Sequence, residues 1–133
     1  MRLLALSLVC IALVCAAPAA AVEPTLRTVA PSQHHVVVTF APGELTPAEI
    51  EVATARSRSA SGAFMPSRVR LRERMTADLN ANGIARYRTV KTLPAGTYFV
   101  AVSGIIQDPP ADCLHIRSHC AERWSNVLRV VVP

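Results

Sequence analysis

Aromatic residues are scarce in this chain: one Trp, two Tyr and three Phe among 133 positions. A binder of single-stranded nucleic acid stacks bases on aromatics interleaved with basic residues, so no nucleic acid partner is expected. The sequence also lacks a Gly-x-Ser-x-Gly elbow and a glycine-rich phosphate loop. It has no Cys-x-x-Cys knuckle of the kind that structural zinc sites use. Acidic residues number 9 against 14 basic ones. Asp108 and Asp112 share one segment, but beside Pro109 and Pro110 they read as turn formers rather than an acid–base pair. A non-enzymatic protein without cofactor or metal is the expectation.

Long apolar runs are missing as well, except at the start. Arg2 precedes an apolar run over residues 3–14, and Pro18-Ala19-Ala20-Ala21 follows. A positive start, an apolar centre and small residues before a cleavage point make a secretory signal peptide. The run falls short of the roughly 20 residues a membrane span needs. Residues 1–21 are therefore read as a signal peptide and 22–133 as one exported domain, secreted or periplasmic. An uncut N-terminal anchor is the alternative. Cys10 and Cys15 raise lipid modification, although each follows a valine where that signal wants a small residue. No second stretch approaches span length, so no membrane span is expected after processing. Removing Arg2 lowers the formal charge of +5 by one. A domain of this size buries about two-thirds of its unfolded surface and needs no metal to fold.

The remaining pattern has period two. Residues 35–40 are rich in β-branched side chains and end at the turn signal Ala41-Pro42-Gly43. Residues 49–56 alternate, with Ile50, Val52 and Thr54 on one face and charges largely on the other. Residues 67–75 alternate too: Val69, Leu71 and Met75 face inward, and Arg68, Arg70, Arg72 and Arg74 outward. Further strands are expected over 25–30, 84–90, 97–104 and 127–132. The strand over 97–104 is apolar on both faces, as a central strand would be. Residues 57–62 and 78–83 read as loop and turn. No segment has a convincing amphipathic helix, since the spacing is two rather than three or four. Short strands between turn signals point to an all-β antiparallel sandwich.

Leu93, Pro94, Gly96, Thr97, Tyr98, Val100 and Val102 then carry a likeness. A leucine, a Pro-x-Gly turn and a tyrosine leading alternating valines resemble one stretch of the fibronectin type III domain. Residues 124–132, with Ser125-Asn126 before alternating valines, resemble its last strand, and residues 36–42 its second. Phe40 stands where that family usually has tryptophan. The resemblance implies an immunoglobulin-like sandwich of about seven strands. It also implies a tyrosine corner at Tyr98, whose hydroxyl bonds to upstream backbone, and a core plug at Leu93. The strand order over 57–82 stays open.

Three groups are candidates for function. Cys113 and Cys120, an even pair in an exported chain, read as a disulfide closing a short loop. With His115 and His119 they form the alternative of a zinc or copper site, which His34 or His35 would extend. Arg68, Arg70, Arg72 and Arg74 form a basic ladder, extended by Arg86 and Arg88 if their strand lies alongside. It suits an anionic polymer, or else a solvated face that blunts edge pairing. Trp124 either caps the core or stands exposed to anchor a partner. The expected role is an interaction module for a protein or cell-surface polymer, with the loop 113–120 and Trp124 as its site.

Overall fold

A computed structural model describes residues 23–106 and 122–133. They form eight strands: β1 (Thr25–Ser32), β2 (His35–Ala41), β3 (Leu45–Ala53), β4 (Val69–Arg74), β5 (Ala85–Arg88), β6 (Gly96–Ile106), β7 (Glu122–Trp124) and β8 (Leu128–Val132). One 3₁₀ turn, Pro66–Arg68, precedes β4, and the described residues contain no α-helix. The expectation of an all-β protein is met, as two antiparallel sheets. One has the order β1-β2-β5; the other runs β4-β3-β6, with β7 and β8 both paired to β6.

Alternation explains why the sheets meet. Val36, Val38 and Phe40 of β2 point inward, as do Ile50 and Val52 of β3 and Tyr98, Val100 and Val102 of β6. Every second residue of a strand faces one side, so these chains can bury one row each against the opposite sheet. β6 is central and has apolar residues on both faces: Phe99 and Ala101 face away from the main core, into a second cluster.

Several boundaries differ from the sequence-based expectation. β1 continues through Pro31, which pairs with Val36 as an edge strand allows. β3 starts at Leu45 and absorbs Pro47 through a register shift before Ile50. β6 runs past Gly104 to Ile106. Gly104 marks a close approach rather than a stop: a Cβ there would lie 2.7 Å from the Leu45 Cβ. β5 is shorter than expected, covering Ala85–Arg88 only.

The final strand is split. β7 runs beside Ser103 to Ile105 and β8 beside Gly96 to Val100. Between them Ser125 keeps the ladder intact: its hydroxyl oxygen accepts the Val102 N–H at 3.0 Å, and its own N–H donates to the Val102 carbonyl at 2.9 Å. Asn126 then reaches the other sheet. Its Oδ1 accepts the Leu26 N–H at 2.8 Å, and its Nδ2 donates to the Leu26 carbonyl at 3.0 Å. One amide thus holds the β1 edge to the β8 edge. Asn126→Ala is expected to cost about 2 kcal/mol of unfolding free energy, since it orphans two backbone groups. Asn126→Asp keeps only the acceptor and should fall between, as read by urea denaturation.

The turn before β6 is held as its residues suggest. Leu93 is buried and its N–H donates to the His34 carbonyl at 2.8 Å. The Tyr98 hydroxyl donates to the Pro94 carbonyl at 2.7 Å. Gly96 opens the strand against the Tyr98 ring, where a Cβ would sit 3.5 Å from the nearest ring carbon. Tyr98→Phe removes one hydrogen bond and should cost about 1 kcal/mol, visible as a drop of a few degrees in Tm.

Candidate functional site

The outer face of the second sheet is partly covered. The chain after β3 folds back across it, and Ala63 and Phe64 pack with Ala53, Ala101 and Trp124. Gly62, at φ 90°, lets this excursion pass the indole; a Cβ there would lie 3.4 Å from it. Trp124 is only 5% exposed. It caps this second core and offers no free stacking face, contrary to the exposed-anchor alternative. Around the rim, the Arg56 guanidinium sits 4.7 Å above the Phe99 ring. Arg58 donates from Nη2 to the Ser125 carbonyl.

Under the same cover lies Glu51, 0% exposed. Alternation had assigned this position to a solvated face. Its Oε1 accepts the Phe64 N–H at 3.1 Å. Its Oε2 accepts from Arg72, at 3.0 Å from Nε and 2.5 Å from Nη2. This is a buried charge matched by a two-pronged guanidinium and a backbone amide, the arrangement that makes such burial tolerable. The hydrogen bond to Glu51 holds the Arg72 guanidinium above its ordinary value, against partial burial; the charges of Glu51, Glu49 and Glu122 add to the effect. Glu122 in turn accepts the Ser103 hydroxyl at 2.7 Å.

The basic ladder is therefore shorter and less uniform than the sequence implied. Arg70, Arg72 and Arg74 are exposed on β4. Arg68 belongs to the 3₁₀ turn and falls outside the strand. Arg86 and Arg88 lie on β5, in the other sheet, and do not extend the ladder. On β3, Glu51 pairs across from Arg72 and Glu49 across from Arg74. Arg70 donates to its neighbours' carbonyls, Ser67 at 3.2 Å and Val69 at 3.4 Å.

On the inward face of β4 stands a second carboxylate that was not singled out. Alternation places Glu73 between Leu71 and Met75, and it is 8% exposed. The Tyr87 hydroxyl donates to its Oε2 at 3.1 Å. The Val90 N–H donates at 3.0 and 2.9 Å to its two oxygens, and the Lys91 N–H to Oε1 at 2.6 Å. Two successive backbone amides and a phenol make a small anion nest, filled here by the protein's own side chain. Burial first, then the Glu73 charge and the hydrogen bond to it, push the Tyr87 phenol above its ordinary value. Beside this clip lies a shallow concavity of about 320 Å³, lined by Arg72, Glu73, Arg74, Tyr87, Val90 and Lys91.

Cys113, Cys120, His115 and His119 lie outside the described residues. His34 is an exposed turn residue, and His35 Nδ1 lies 2.8 Å from the Thr89 carbonyl oxygen. No group of three or more His, Cys, Asp or Glu side chains suited to a metal ion occurs among the described residues. No helix among them is long and apolar enough to cross a membrane. Neither a family model nor a curated protein matches the chain.

Proposed function

We propose that this chain is an exported, non-enzymatic module of fibronectin type III type that binds a protein or a cell-surface polymer. The strand order β1-β2-β5 facing β4-β3-β6-β8 supports that type, as does the Tyr98 hydroxyl bonded to the carbonyl four residues upstream. The observation that carries the binding role is a connection. β6 and β7 are hydrogen-bonded neighbours, yet residues 107–121 join them, where about two to five residues would close a hairpin. Connections of that excess length in a compact domain are uncommon and often functional, and here both ends are anchored on neighbouring strands of one sheet. A disulfide between Cys113 and Cys120 would narrow the loop's conformations and reduce the entropy lost on binding.

The test replaces residues 107–121 with a short Asn-Gly turn. The shortened protein should unfold at nearly the same temperature as the wild type. It should no longer retain the partner that wild-type protein captures from its own extracellular surroundings. Equal retention by both forms would remove the connection from the binding surface. Intact mass of the exported protein gives a separate check: a chain beginning after Ala21, two hydrogen atoms lighter than its reduced form, is the expected result.

A further inference from the structure

A second surface lies on the opposite edge of the same sheet. Among the described residues β4 pairs with β3 alone, so its other backbone edge has no strand neighbour there. An edge strand is a template for another chain unless something blocks it. Here the two faces of that edge differ. Outward, Arg70, Arg72 and Arg74 recur at every second position. Inward, the edge borders the concavity of about 320 Å³, where Val90 is 78% exposed beside Tyr87 and Lys91.

We propose that β4 receives an extended acidic segment of a partner protein, added as a further strand, with carboxylates alternating with apolar residues. β3 shows the pattern such a segment would follow. Glu49 and Glu51 stand cross-strand from Arg74 and Arg72, while Ile50 and Val52 point into the core. A strand on the free side would place its own carboxylates against the same arginine row. Its alternate side chains would turn inward over Val90 and Tyr87. Opposite charges directly across a pair stabilise a sheet, and like charges oppose it. The same row therefore disfavours a second copy of this chain, which would set arginine against arginine, and admits an acidic strand. Glu73 keeps the edge ready: bound to Tyr87, Val90 and Lys91, it fixes β4 against the other sheet before any partner arrives.

The probe is Glu-Val-Glu-Val-Glu-Val, equal in length to the six residues of β4. Titrated into the isotope-labelled protein, it should shift the backbone amides of residues 69–74 together with Val90 and Lys91. The block peptide Glu-Glu-Glu-Val-Val-Val carries the same charge without the alternation. It should bind about tenfold more weakly, since it cannot satisfy both faces at once. Arg70→Gln with Arg74→Gln leaves the Arg72–Glu51 pair in place. That variant should unfold as the wild type does and lose the saturable shifts. Equal binding of the two peptides, or shifts centred elsewhere, would overturn strand addition. So would a sulfated oligosaccharide that displaces the peptide and binds more tightly, since a flat anionic polymer would then be the ligand.

Discussion

Glu73→Ala is expected to lower the unfolding free energy by about 4 kcal/mol, the largest effect of any single polar substitution considered. Three donors converge on this carboxylate from the opposite sheet's edge. Hydrogen bonds to a charged acceptor are worth about 1.5–3 kcal/mol each when broken from one side. Water reaches the Val90 and Lys91 amides at the rim and recovers part of that loss, which sets the figure below the full sum. Since domains are stable by only about 5–15 kcal/mol, the variant should approach marginal stability. Glu73→Gln retains one acceptor but turns an amide group toward a backbone donor, and should lose about half as much. Equilibrium urea unfolding measures both; a loss below about 1 kcal/mol for alanine would mean the clip holds little. The same site predicts an alkaline weakness. The folded state raises the Tyr87 phenol above its ordinary value, so it favours the protonated form. The associated stability is complete below about pH 10 and is lost as pH rises through the raised value. Tyr87→Phe should lack that part of the decline when unfolding curves are compared across the alkaline range.

Arg72→Ala should cost about 3 kcal/mol, although the arginine side chain is itself 52% exposed. The reason lies with its partner. Glu51 is fully buried, and removing the guanidinium leaves its charge with one backbone amide for company. Stripping one member from a buried pair costs about 3–5 kcal/mol; the open arginine side places this case at the lower end. Glu51→Gln is the milder change, about 1.5 kcal/mol, because the arginine left behind returns to water. The double variant should therefore recover much of the Arg72→Ala loss, and the resulting cycle isolates the pair. Additive losses would mean that the two side chains act independently and that the buried carboxylate is satisfied without Arg72.

Much of the architecture was legible because a strand writes its own signature. The alternation Val36, Val38, Phe40 and that of Tyr98, Val100, Val102 both mark rows that must be buried, and both are. The bend before β6 was readable because Pro94 and Gly96 set their own backbone angles locally. Arg86 and Arg88 were a different matter. Period two says that they share a face of their own strand, and nothing about which sheet that strand joins. Glu51 misled for a related reason. Its face of β3 is the outer one, as alternation implies, but a chain excursion covers it, and coverage depends on residues a dozen positions away.

By itself, the order of residues determined the strand character, the inward rows, the bend before β6 and the arginine spacing on β4. These follow from contacts within a few residues and from the two-residue repeat of an extended chain. Only the tertiary structure decided that Trp124 is roofed by Gly62 and Phe64, and that Arg72 is matched to Glu51. It also decided that Glu73 and Asn126 bind the two open edges of the sheets together. Those choices join residues far apart in the chain, and burial and hydrogen-bond satisfaction settle them only once both sheets are in place.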